Sequence, residues 1–117
     1  MEKAEENRYQ VIVTNLAEIS FYEVVDYLYD NYPFERAEEI ADELRDTARI
    51  LHNQPERGTP EPNLSHRGRG YRYVLYKRTS RAEIKIIYFI DKKSKTVYIT
   101  DFFPTEKDNR VLSDRHE

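Results

Sequence analysis

An α+β fold is what this sequence predicts: a helical hairpin packed on one face of a mostly antiparallel four-stranded sheet, in the order strand, helix, helix, strand, strand, strand. Three observations carry that expectation. The apolar period changes from two to three-and-four near Ala17. A second helical stripe begins at once after Pro33. Beyond residue 70 the chain divides into three short Tyr- and Ile-rich segments joined by polar turns.

The first strand is expected over Tyr9 to Thr14, where Tyr9, Val11 and Val13 alternate with Gln10, Ile12 and Thr14. From Ala17 onward Phe21, Val24, Val25, Leu28 and Tyr32 recur at three- and four-residue steps, the stripe of an amphipathic helix. Asn15 with Glu18, or Ser20 with Glu23, could form its N-terminal capping box. Pro33 ends that helix and suits the first turn of the next, where its missing N–H is not needed. In the second helix Phe34, Ala37, Ile40, Ala41, Leu44, Ala48 and Leu51 form one face. Glu35, Glu38 and Glu39 lie near its positive end, and Arg49 and His52 near its negative end. Pro55 and Gly58 stop it. Helices joined this tightly fold back on each other, burying their stripes and leaving their acids wet. Tyr22, Tyr27, Tyr29 and Tyr32 are assigned to core and hairpin packing.

Residues 53–70 hold three Pro and three Gly and are expected to be loop, with Leu64 as a buried anchor. The late strands are expected at Tyr71 to Lys77, Glu83 to Ile90 and Thr96 to Phe103. Short connections such as Asp91 to Lys95 make neighbouring strands antiparallel. The hairpin then covers one face of the sheet and leaves the other open. Ile84, Ile86, Tyr88 and Ile90 share one face of their strand, with Lys85, Ile87 and Phe89 on the other, and Arg72 projects opposite to Tyr71 and Tyr73. The tail from Pro104 is polar, with Val111 and Leu112 able to dock. The expectation is one domain over residues 1–117, with 1–8 and 113–117 as candidate frayed ends.

Only 38% of residues are hydrophobic, so ten Tyr and five Phe must supply much of the buried area. The absence of Cys excludes disulfides and thiolate metal sites, which fits a reducing cytoplasm. No window approaches eighteen apolar residues and the first eight have no apolar run, so neither a membrane span nor a signal peptide is expected. Charge is sorted by position. Residues 1–56 carry 5 Lys and Arg against 14 Asp and Glu, a net of −9, whereas residues 57–85 carry 8 against 2, a net of +6. The basic stretch interleaves with Tyr71, Tyr73 and Tyr76, a combination that suits phosphates and bases.

Elements spread over most of the chain carry a resemblance. Tyr9 to Thr14 with Ala17 soon after, Pro33 before Ala37, Leu51 followed by Pro55 and Gly58, then Tyr71-Arg72, and Ile84 to Tyr88 ahead of Thr96 to Ile99 follow a recognisable order. From about Tyr9 to Leu112 the chain resembles the RelE/ParE toxin superfamily of type II toxin–antitoxin systems. The resemblance implies a compact α+β fold and one of two activities, ribosome-dependent mRNA cleavage or poisoning of DNA gyrase. It also implies a cognate antitoxin as partner, in a hetero-oligomer, and no cofactor or membrane. A non-toxic binding module on the same scaffold, associating with a protein or RNA, is the alternative.

By position, the resemblance carries catalytic roles to Arg72 and Lys85 on the late strands, and to Lys107 as a shifted counterpart of an Arg after the last strand. Two parts of the cleaving pattern have no match: a His/Arg-rich motif is replaced by Asp101 to Arg110, and no Tyr follows Tyr98. Cleavage through the 2′-OH needs a base, cations on the crowded phosphate and an acid. Arg supplies only charge, whereas a Lys with lowered pKa can move a proton, so Lys85 beside Arg72 is the candidate centre. The bland reading makes both solvated strand residues. His66 could act as a general base near neutral pH, but a lone loop His is more often incidental, and that reading is preferred. Arg67, Arg69, Lys77, Arg78 and Arg81, with His66 and Arg110, form the candidate surface for nucleic acid or antitoxin. No His pair has metal-ligand spacing, and no metal is expected.

Overall fold

The computed structural model describes residues 8–77 and 83–116. Five strands form one sheet: β1 (Gln10–Val13), β2 (Thr59–Pro60), β3 (Arg72–Lys77), β4 (Glu83–Asp91) and β5 (Thr96–Pro104), in the order β1-β5-β4-β3-β2. β1 runs parallel to β5, and the other neighbours are antiparallel. The expected four-stranded sheet is therefore corrected to five. The extra strand lies in the proline-rich segment assigned to loop, where Thr59 and Pro60 pair with Tyr73 and Arg72. Two residues carry no readable period, and Pro60, lacking an N–H, is tolerated because β2 is the sheet's edge.

α1 (Asn15–Asn31) and α2 (Phe34–Arg49) form the expected hairpin. Neither proposed capping box closes α1. Its N-cap is Thr14, whose hydroxyl accepts from the Ala17 N–H at 3.3 Å. Ser20 is buried within the helix, where its hydroxyl donates to the Ala17 carbonyl and accepts from the Phe102 N–H at 2.9 Å. Because β1 pairs only with residues 96–99 of β5, the later part of β5 runs on beyond it, and Ser20 supplies a partner that a strand would otherwise give.

The main core lies between the hairpin and the sheet. Phe21, Val24 and Leu28 from α1, Ile40 and Leu44 from α2, and Val74, Ile86, Tyr88, Ile99 and Phe102 from the sheet are buried in it. Both apolar stripes pack as expected except at Phe34, which is 66% exposed and stacks on Tyr29 at the hairpin corner. Of the four tyrosines assigned to packing, only Tyr32 lies against the core, and Tyr22, Tyr27 and Tyr29 are exposed. The acids of α1 and α2 face solvent.

The second face of the sheet is not left open. A 3₁₀ segment (Pro62–Arg67) and a third helix, α3 (Asn109–Arg115), lie over it. Leu64, Tyr71, Ile87, Phe103 and Leu112 make a second core there, with Tyr73 and Phe89 packed against it. The cause is the composition of that face: Ile87, Phe89 and Phe103 are too much apolar area to leave in water. Leu64 is the anchor expected. The tail is a helix up to Arg115 rather than frayed, started by Asp108, whose carboxylate accepts from the Arg110 N–H. Seven residues are too few to show a helical period in the sequence. No helix among the described residues is long and apolar enough to cross a membrane.

Leu112 is fully buried and ties α3 to the sheet. Leu112→Ala is expected to cost about 2–5 kcal/mol in urea unfolding. An unchanged midpoint would mean that α3 does not close the second core.

Candidate functional site

The register of β3 and β4 decides where the expected catalytic pair goes. Lys85 lies opposite Leu75, and Arg72 opposite Tyr88. Directly opposed residues share a face and successive ones alternate, so Lys85 and Arg72 point to opposite sides of the sheet. The expected juxtaposition does not form.

On the second face, the Lys85 Nζ donates to Glu61 Oε2 at 2.8 Å and Oε1 at 3.1 Å and lies 4.5 Å above the Tyr73 ring. Glu61 is fully buried; its Oε1 also accepts from Asn63 Nδ2 at 3.0 Å, and its backbone N–H donates to the Tyr71 carbonyl. A carboxylate this deep needs a cation and hydrogen bonds to be tolerated, and Lys85 is that cation. On the hairpin face, Arg72 donates to the carbonyls of Gly58 at 2.8 Å and Glu56 at 3.2 Å. The Tyr88 hydroxyl accepts from the Gly58 N–H at 2.9 Å and donates to the Pro55 carbonyl at 2.7 Å; burial raises its pKa. Gly58 is required by this closeness, since a Cβ there would meet the Tyr88 oxygen at 2.5 Å and the Tyr73 carbonyl at 2.6 Å. Arg72 and Tyr88 together hold the segment after α2 against the sheet.

The remaining cations divide between structural bonds and open surface. Arg67 donates to the carbonyl and hydroxyl of Ser113 at 2.9 and 3.2 Å, and His66 Nε2 lies 3.3 Å from the same hydroxyl, so both bind the 3₁₀ segment to α3. Arg69 is exposed, with its guanidinium 5.0 Å above the Phe89 ring. Lys77 forms a loose surface pair with Glu83 at 3.6 Å. Arg110 folds back on Asp108 at 2.7 Å and holds that carboxyl down at about 2. Lys107 is exposed and lines a separate cleft with Ser20, Val24, Tyr27 and Glu106, so it joins neither Lys85 nor Arg72. Arg78 and Arg81 lie outside the described residues.

Sequence reasoning passed over the two carboxylates that matter most. Glu61 stands between two prolines, one of only two acids in the basic stretch, and Asp101 stands inside the apolar run of β5. An acid in either setting must find a cation, which was the available signal. Asp101 is fully buried and accepts from Arg115 Nη1 at 2.9 and 3.2 Å, while Arg115 also reaches Glu23 at 3.5 Å. Burial raises the Asp101 pKa, and Arg115 opposes that rise. Beside them His116 bridges the Thr100 hydroxyl at 2.7 Å and the Leu112 carbonyl at 2.9 Å, at the register shift in β5. Lys85, Arg72 and Tyr88 are each hydrogen-bonded within the fold, Lys85 to Glu61, and Arg72 and Tyr88 to the segment after α2.

Residues 11–109 match the family model for the ParE toxin of type II toxin–antitoxin system, parDE. The search of curated proteins found no match to the chain.

The Lys85–Glu61 pair is expected to be costly to halve and cheap to remove whole. Lys85→Met should destabilise the fold by about 3 kcal/mol, and Lys85→Met with Glu61→Leu should recover most of that loss in urea unfolding. A double variant no better than the single one would mean the pair does not act as a unit. Asp101 gives a pH dependence. Its folded pKa is raised, so the corresponding stability is present below the unfolded value near 4 and is lost as pH rises through the folded value. Arg115→Met removes the opposing cation, so its stability deficit against the unaltered protein should be smaller near pH 4.5 than near pH 7.5, both about 25 °C. A deficit independent of pH would contradict this linkage.

Proposed function

The chain belongs to the ParE toxin family of type II toxin–antitoxin systems, and on that basis we propose that it arrests growth by binding DNA gyrase and not by cutting mRNA, and that a cognate antitoxin neutralises it. The observation that carries the choice is the engagement of Lys85 by buried Glu61, with Arg72 turned to the other face. A nuclease centre needs cations free to meet the phosphate and a group free to move a proton. Here a carboxylate 2.8 Å away competes with any phosphate for Lys85, and Arg72 is bonded to loop carbonyls. Lys107 stands in a different cleft. A toxin built this way acts as a binding protein, through surface and not through chemistry. Arg69, exposed over Phe89, and Lys77 remain as cations for an acidic antitoxin segment.

The test is induced expression with three readouts: growth, chromosomal breaks and mRNA 5′ ends. Arrest with intact mRNA and breaks that disappear in a gyrase-resistant host is the expected result. Ribosome-dependent cuts in mRNA would overturn the reading in favour of the nuclease, and unimpaired growth would overturn it in favour of a non-toxic binding module.

A further inference from the structure

The covering of the second face stops short of β1. The 3₁₀ segment and α3 close over Ile87 and Phe103, whereas Ile12 and Tyr98 belong to neither core. Ile12 stands opposite Tyr98, and Tyr98 opposite Phe89, so the three form a row across β1, β5 and β4 on that face. All three are partly exposed. Phe89 and Tyr98 stack with centroids 5.1 Å apart and planes at 23°, and Phe89 is the one ring in contact with Tyr98 among the described residues. The Tyr98 hydroxyl has no hydrogen-bond partner among them either. A tyrosine that serves packing buries its ring and finds its hydroxyl a partner, and Tyr98 does neither.

Cations edge this row. Arg69 holds its guanidinium 5.0 Å above the Phe89 ring and enters no ion pair among the described residues. The β4–β5 turn, at the near end of the row, carries Lys92, Lys93 and Lys95, and Arg8 is exposed where the chain enters β1 beside that turn. Lys92 is engaged by Glu56 at 3.1 Å. Asp91, the one acid in the turn, accepts from the Lys93 and Ser94 N–H groups at 3.1 and 3.4 Å. An aromatic shelf edged by cations takes a base on the ring and phosphates on the charges. The combination suits single strands, because in a duplex the base faces are already stacked. Lys85, further back along β4, is held by Glu61 and stands outside the shelf.

We propose that the row of Ile12, Tyr98 and Phe89 binds single-stranded DNA, one base stacking on Tyr98 while Arg69 and Lys93 meet the flanking phosphates. The part this plays in toxicity rests on the gyrase reading above. A cut duplex offers unstacked terminal bases that an intact one hides, so a toxin holding such an end keeps enzyme and DNA together in the cleaved state. The shelf therefore works with DNA on the enzyme.

The experiment reads the fluorescence anisotropy of a labelled oligothymidylate against the purified protein, beside a duplex of the same length. The unaltered protein should bind the single strand about tenfold more tightly than the duplex, and rising salt should weaken binding. Tyr98→Leu, which keeps apolar bulk and loses the ring, should weaken it about tenfold, whereas Tyr98→Phe should retain it. Arg69→Gln with Lys93→Gln should weaken binding and flatten its salt dependence, and Arg36→Gln, a cation removed from α2, should change neither. Thermal unfolding checks that each variant is folded. No binding of the single strand, equal binding of the duplex, or full binding by folded Tyr98→Leu or Arg69→Gln/Lys93→Gln overturns the inference. Displacement by polyglutamate as effective as by unlabelled oligonucleotide overturns it in favour of an acidic protein segment. A second readout, cleaved plasmid accumulated by purified DNA gyrase, separates the inference from the reading it rests on. The unaltered protein should raise the cleaved fraction and Tyr98→Leu should raise it less. Strand binding without cleaved plasmid overturns the gyrase reading and leaves the shelf a DNA site; cleaved plasmid without strand binding, or equally with Tyr98→Leu, overturns the inference and leaves the gyrase reading.

Discussion

The buried pair of Lys85 and Glu61 is the interaction on which the second face of the sheet depends. Glu61 sits at the start of the 3₁₀ segment, and Lys85 rises from the middle of β4. Their contact fixes the loop where Leu64 can reach Ile87 and Phe103, and that surface in turn receives Leu112 from α3. Charges buried in this way gain less from attraction than they lose in hydration, so their value is in placing the chain rather than in net stability. The same contact commits the Lys85 ammonium to Glu61 and fastens the proline-rich loop to β4.

β5 shows a related economy. It is paired by β1 over its first half only, and the rest is completed by side chains. Ser20 meets the Phe102 N–H from one helix, and Arg115 meets Asp101 from another. The strand is buried on both sides, by the main core through Ile99 and Phe102 and by the second core through Phe103. These polar groups caught between the cores find their partners on different elements, which makes the packing of α1, β5 and α3 mutually dependent.

The two signs of charge meet different fates. Much of the cationic stretch is absorbed: Arg67 by Ser113, Arg72 by loop carbonyls and Lys85 by Glu61. The acids of the hairpin stay outside, where neighbouring Arg residues and, at Glu23, Arg115 of α3 offset some of them, and exposed pairs of that kind contribute little. Among the described residues the hairpin surface is therefore acidic and tyrosine-bearing, and of the basic stretch Arg57, Arg69 and Lys77 stay exposed. A charge run in sequence reports composition, and only packing tells which charges remain available.

Elements long enough to repeat a period were legible in the sequence: the two helical stripes, the three late strands and the return of the hairpin all follow from apolar spacing, and Leu64 from being the lone apolar residue in its loop. Two-residue β2 and seven-residue α3 were not, because neither is long enough to show periodicity, and their stability comes from what they pack against. The face on which each strand residue lies was readable from alternation within a strand. The register between strands was not, and it is register that sends Arg72 and Lys85 to opposite sides. Local spacing was therefore enough for the α+β class, the order of the main elements and the wet acidic hairpin. It could not reach the covering of the second face, the claims of Glu61 and Asp101 on Lys85 and Arg115, or the failure of a cleaving pair to assemble, because each of these depends on contacts between residues far apart in the chain.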